Sequence, residues 1–308
     1  MNTSLPPRIV LALTAGVLSF VFAPILVRWA NEAPGLTIAV WRTSTAALVL
    51  LPGLAYVYDE VAAFSRTDWL LIGASGTALG AHFIAWIEAL YHTSVASVSV
   101  LATTSPVFVA VLGYLVLKER LSWPVVAGIV VAVGGAALMG ATDAGGIALG
   151  GSAWIGNLLA LSAALLVSVY LLIGRAVRQH VSWLAYIIPL YTVAAMVTLG
   201  AALVQGAPLG GHAPVVYVCS IALALGPQVI GHGAFNFALQ RVPAALVGML
   251  ALLEPVGASI LALWFFGEAP GIWAAIGMVI VLAGVAFVIW YRSRSDDTTP
   301  MPAPSNEA

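Results

Sequence analysis

Charge is what this sequence most lacks: only 7% of its 308 residues are Asp, Glu, Lys or Arg, against roughly 25% in a soluble globular domain. Water is therefore not its main solvent. Its 11 Lys plus Arg nearly cancel its 12 Asp plus Glu, for a net charge of -1, so no basic field exists to hold a nucleic-acid backbone. A single cysteine, Cys219, excludes an intramolecular disulfide and reads as a small buried hydrophobe. Metal-ligand spacing, phosphate loops, dinucleotide fingerprints and nucleophile–base pairs are all missing. Catalysis has little support, and neither cofactor nor metal is expected.

Apolar length is what the chain has instead, with 62% hydrophobic residues. Stretches of about 20 residues, the length of one bilayer crossing, run over Ile9–Trp29, Leu36–Val57, Trp69–Leu90, Val95–Leu117, Pro124–Gly140, Ala153–Ile173, Leu184–Val204, Val215–Leu239, Ala244–Phe266 and Gly271–Tyr291. They predict an all-α membrane protein of ten transmembrane helices with no room for a soluble domain. Residues 292–308 are polar and Pro-rich and read as a disordered cytoplasmic tail. With the amino terminus inside, the inner segments hold Arg8, Arg66, Lys118, Arg120, Arg175, Arg178, Arg241, Arg292 and Arg294, and the outer loops only Arg28. The cytoplasmic enrichment of Lys and Arg then places both termini on the cytoplasmic side.

One offset of 149 residues carries Ala89, Leu90, Ala96, Val98, Leu101, Ala102, Pro106, Val107, Leu112, Glu119, Gly128 and Gly135 onto identical residues. A unit of five stretches is odd, so the second copy enters the bilayer from the opposite side. The expectation is two inverted five-helix repeats, 1–141 and 152–291, around a central cavity. Lys118-Glu119-Arg120 becomes Gly267-Glu268-Ala269 in the second copy, which keeps the glutamate and loses the cations its new side disfavours.

Polar residues inside apolar stretches are the candidates for function. Pro106 and Pro255 are repeat equivalents; each removes a helical N–H and frees the carbonyl four residues earlier, Ala102 or Ala251, marking a pair of breaks that either line a site or simply kink. Gly226-Pro227 and Pro24 are weaker breaks. Gln228, His232, Asn236 and Gln240 recur every four residues and share one helix face. That face lines a cavity or glues helices. His82 falls near the midplane with Trp86 one turn on, offering a hydrogen-bonding group and an aromatic wall. Glu254, deep in the ninth stretch, is either an anchor for a substrate ammonium or proton, or a group that satisfies the Pro255 break. Arg42 and Glu88, at similar depth, are expected to pair as a structural element or outer gate. Thr103 sits on a small-residue face with Ser99, Pro106, Ala110 and Gly113; the face reads first as close helix packing, with contact between Thr103 and substrate beside the break as the alternative.

Thr104-Ser105-Pro106-Val107-Phe108 running to Lys118-Glu119-Arg120-Leu121-Ser122, echoed by Leu253-Glu254-Pro255-Val256 and Gly267-Glu268, resembles the repeated signature of EamA-type members of the drug/metabolite transporter superfamily. Trp41-Arg42 fits the same pattern. The resemblance implies a bacterial inner-membrane carrier whose cavity is lined by helices 1, 3, 4, 6, 8 and 9, often exporting amino acids. Similarity to YddG-like amino-acid exporters would make His82, Trp86 and Tyr170 cavity residues. Ser105 stands where many relatives have glutamate. The expected activity is secondary transport of a small metabolite by alternating access, with lipids as further partners; a homodimer is compatible and a monomer suffices. An intramembrane enzyme or lipid-modifying or flipping protein, or a non-transporting scaffold, stays open on the residues alone.

Overall fold

The computed structural model describes residues 6–93, 98, 101–102, 104–142 and 153–295. Those residues form helices and connecting turns, with no strand among them. In chain order the helices are α1 (Pro7–Trp29), α2 (Gly35–Ala62), α3 (Arg66–His92), α4 (Ser105–Leu117), α5 (Trp123–Met139), α6 (Ala153–Val177), α7 (Trp183–Gln205), α8 (Pro214–Ala238), α9 (Ala244–Phe266) and α10 (Ile272–Ser295). Eight are long and apolar enough to cross a membrane, while α4 and α5 are shorter apolar helices. The last helix runs to Ser295, past the expected end at Tyr291; the rest of the expected tail lies outside the described residues.

Local chemistry explains the helix ends. A capping box between Ser65 and Asp68 opens α3, and Ser182 caps α7. Two helices end on repeat-equivalent residues in the left-handed region: Lys118 (φ 56°) after α4 and Gly267 (φ 69°) after α9. The next amide folds back in each case, Glu119 N–H onto the Gly113 carbonyl at 3.2 Å and Glu268 N–H onto the Ala262 carbonyl at 3.4 Å. The same terminal turn has therefore been built twice.

The packing obeys the same duplication. α3 packs on α6 as α8 packs on α1, α4 on α6 as α9 on α1, and α3 on α7 as α8 on α2; α2 meets α7, α4 meets α9 and α5 meets α10. The last contact fixes the relative direction of the halves. A Cβ at Gly135 would stand 2.8 Å from the Gly277 carbonyl oxygen, and one at Gly284 would stand 3.0 Å from that of Gly128. Gly128 and Gly135 are the repeat equivalents of Gly277 and Gly284, so the earlier residue of one helix meets the later residue of the other. Equivalent helices that cross in this antiparallel way are related by a two-fold axis perpendicular to them, as inverted repeats require.

Five helices are interrupted among the described residues; in α2 the breaks are a 3-10 turn over Leu51–Gly53 and a non-helical Val57 (φ -128°, ψ 15°). α1 breaks at Phe22, and α9 divides into Ala244–Leu250 and Leu253–Phe266. The described part of α4 begins at Ser105 after a turn at Thr104, and α8 carries a wide π turn over Ala224–His232. Pro24, Pro106 and Pro255 each sit in the first turn of the segment after the break, where a missing N–H costs nothing. The freed carbonyl expected at Ala251 is in fact taken by the Glu254 amide at 3.0 Å, because the chain tightens there to a three-residue turn. At the α4 break the Ser168 hydroxyl of α6 donates to the Ser105 carbonyl at 3.1 Å. Gly248 of α9 lies against Pro106, so the broken segments meet inside the protein.

Candidate functional site

The polar face of α8 points into the protein interior. Gln228 and Asn236 are 0% exposed and His232 is 6% exposed. The Arg42 guanidinium, buried on α2, donates from Nε to Gln228 Oε1 at 3.2 Å and lies 3.9 Å above the Phe83 ring. Tyr191 of α7 donates to the Gln228 carbonyl at 2.8 Å, covering an acceptor within the wide turn. Asn236 Nδ2 donates to the Tyr170 hydroxyl at 2.5 Å and to the His232 carbonyl at 2.9 Å. The His232 ring stands between Phe20, Phe83, Tyr170 and His82, at centroid distances of 4.9, 5.3, 5.7 and 6.3 Å. His82 uses Nδ1 on the Ala163 carbonyl at 2.9 Å, so Nδ1 carries the proton.

Three atoms of this cluster have no hydrogen-bond partner among the described residues: Gln228 Nε2, His232 Nδ1 and Asn236 Oδ1. Leaving a buried polar atom unpaired costs about 1–3 kcal/mol. Three on successive turns of one helix face are hard to account for as structural glue. Between them they offer a donor, an acceptor and an imidazole nitrogen able to act as either.

Other expected residues are placed differently. Trp86 is half-buried in apolar contacts around Ala89, Val98 and Ala160. Glu254, also half-buried, opens the second segment of α9, where a helix start favours a carboxylate, within Coulombic range of Arg42. The structure does not bring Arg42 and Glu88 together. Arg42 faces Phe83, and five residues further along α3 Glu88 is turned about 140° away; its carboxylate lies beside Gly35 instead. Gly226 and Pro227 belong to the wide turn of α8, and Thr103 lies outside the described residues. Sequence reasoning missed Phe20, Phe83, Tyr191 and the buried Ser75–Tyr186 hydroxyl pair at 2.7 Å. Tyrosines inside apolar runs read as hydrophobes there; their signal was a hydroxyl that needs a partner in hydrocarbon.

The profile of the EamA-like transporter family matches this chain twice, over residues 7–141 and 154–290. The chain belongs to that family. It is 31% identical over 227 residues to the probable terminal-alkyne amino-acid exporter of Streptantibioticus cattleyicolor, covering 71% of each chain. It is 24% identical over 262 residues to the uncharacterized transporter YetK of Bacillus subtilis, covering 84% of this chain and 79% of that one. One solved crystal structure superposes with a TM-score of 0.80 over 94% of this chain and 99% of its own, at 19% identity, a likeness of fold. The protein is thus a multi-pass membrane protein of a transporter family.

This EamA-like transporter also carries one ion pair in duplicate. The terminal turn after α9 aims Glu268 at Arg28 in the last turn of α1, with Nη1 and Nη2 each 2.7 Å from a carboxylate oxygen. The turn after α4 aims Glu119 at Arg175 in the last turn of α6, Nε to Oε1 2.8 Å. Arg175 Nη1 also donates to the Leu239 and Gln240 carbonyls, at 2.7 and 3.0 Å. Each pair joins one half to the other, at opposite ends of the bundle. The Glu268 carboxylate is held below the usual glutamate range by its hydrogen bonds from Arg28.

Proposed function

We propose that this chain is a secondary carrier for a small zwitterion, a neutral amino acid or close analogue, moved by alternating access between its two halves. The carrying observation is the row of unpartnered buried atoms, Gln228 Nε2, His232 Nδ1 and Asn236 Oδ1. Gln228 is hydrogen-bonded to a buried cation, Arg42, which interacts with the Glu254 carboxylate without forming one of the ion pairs seen among the described residues. Such an arrangement suits a solute whose carboxylate turns to Arg42 and whose ammonium turns to Glu254, with the α8 face satisfying the remainder. Similarity to a protein named as an amino-acid exporter supports the same solute class.

The reading takes the chain as ten crossings in an inner membrane with both termini cytoplasmic, and assigns it no chemical step. The breaks at Pro106 and Pro255 serve as hinges, and the two ion pairs as opposing latches, one of which opens per half-cycle. Purified protein in liposomes should carry labelled neutral amino acids. Gln228→Leu and Asn236→Leu, which remove the polar atoms at similar volume, should each raise KM at least tenfold with the fold intact. The reading fails if a broad panel of such solutes gives no protein-dependent flux, or if both variants transport normally.

A further inference from the structure

At the end of the bundle that holds Arg175, α1, α8 and the α6–α7 turn enclose a recess of about 240 Å³. Three arginines line it, Arg8, Arg178 and Arg241, with Ser182, Trp183 and Gln240 beside them. Arg8 and Arg241 are exposed, whereas Arg178 is only 2% exposed and is clamped by its own turn. Its Nε donates to the Asn236 carbonyl at 3.1 Å and its Nη1 to the Val181 carbonyl. The starts of two long helices, α1 and α7, add the positive ends of their dipoles.

Two carboxylates stand close to this charge, and each already has a partner: Glu60 accepts the amide of the lining residue Ser182 at 2.6 Å, at the start of α7, and Asp68 is paired with His180 at 2.8 Å. The carbonyls at the end of α8 are capped by Arg175 and Arg178. Among the described residues no carboxylate lines the recess. Arginine forks with helix starts behind them are the usual chemistry for a carboxylate or phosphate.

We propose that this recess is an oxyanion site, distinct from the buried cluster, for a phosphate or carboxylate presented at the membrane surface. A phospholipid headgroup and a soluble anion share that chemistry, and basic pockets between transmembrane helices are known to take acidic headgroups. The full chain, purified in detergent, separates the two sources. Its thermal midpoint is followed in one arm with inorganic phosphate against chloride at equal ionic strength, and in the other with mixed micelles of phosphatidylglycerol against phosphatidylcholine. A rise in the phosphate arm assigns a soluble anion, and a rise in the lipid arm alone assigns a headgroup. Either rise should fall at least twofold in Arg8→Gln/Arg241→Gln and persist in Arg120→Gln, an exposed arginine on the α4–α5 connection. The proposal is overturned if neither arm shifts the midpoint, or if the double variant keeps the full shift.

Discussion

The ion pairs at the two ends of the molecule share repeat-equivalent glutamates yet are built differently. At one end Arg28 and Glu268 keep side-chain exposures of 48% and 53% and form a flat fork on a single carboxylate, with the guanidinium 4.0 Å above the Phe266 ring. At the other, Arg175 and Glu119 are 19% and 24% exposed, and the arginine divides itself among a carboxylate and two carbonyls at the end of α8. The first closure is a clasp between two elements, cheap to open because water replaces both partners. The second gathers α4, α6 and α8, so releasing it strands several acceptors at once.

Breaking that asymmetry gives the largest expected effect. Arg175→Ala should cost about 3 kcal/mol of resistance to unfolding in detergent, as hydrogen bonds to a charged group are lost and partly buried acceptors stranded, and Arg175→Lys should recover only part because one ammonium cannot replace the fork. A similar loss from Arg28→Ala would erase the distinction. Next in size are the turns that aim the glutamates. Lys118→Gly should gain about 1 kcal/mol and Gly267→Lys lose about as much, because only glycine occupies that backbone region without strain; thermal unfolding of the two variants reads both signs. Arg28→Ala should cost less than about 1 kcal/mol, fading as salt is raised, and the double exchange Arg28→Glu with Glu268→Arg should restore transport lost in either single variant.

The smallest effect is in acid. The folded-state pKa of Glu268 is depressed, so its contribution is full above the ordinary glutamate range and is lost as pH falls through that range towards the folded value. Thermal midpoints measured across this window should show the acid loss in the parent and a shallower one in Arg28→Ala.

Much of the fold was legible because duplication leaves a constant offset and bilayer crossing leaves long apolar runs. The α8 stripe was legible for a similar reason: residues four apart must share a face, and three polar groups in hydrocarbon need partners. Arg42 was legible as a buried charge, but its partner was not. Depth along a helix can be counted from the sequence, whereas which side chains meet across two helices depends on packing: Phe83 lies under Arg42, while Glu88 reaches the start of α2 at Gly35. The twin ion pairs were half visible. The repeat kept Glu119 and Glu268, while Arg28 and Arg175, separated by 147 rather than 149 residues, entered only as topology charges; a two-residue shift between the copies was the available clue.

The crossing of α5 over α10 has its own mechanical consequence. Points on a two-fold axis are unmoved when the units it relates trade places, so a carrier that swaps the shapes of its halves can hold the glycine seam together while everything distant from it swings. Bulk introduced at any one of those four glycines would wedge the bearing itself, and both strokes of the cycle would feel it equally.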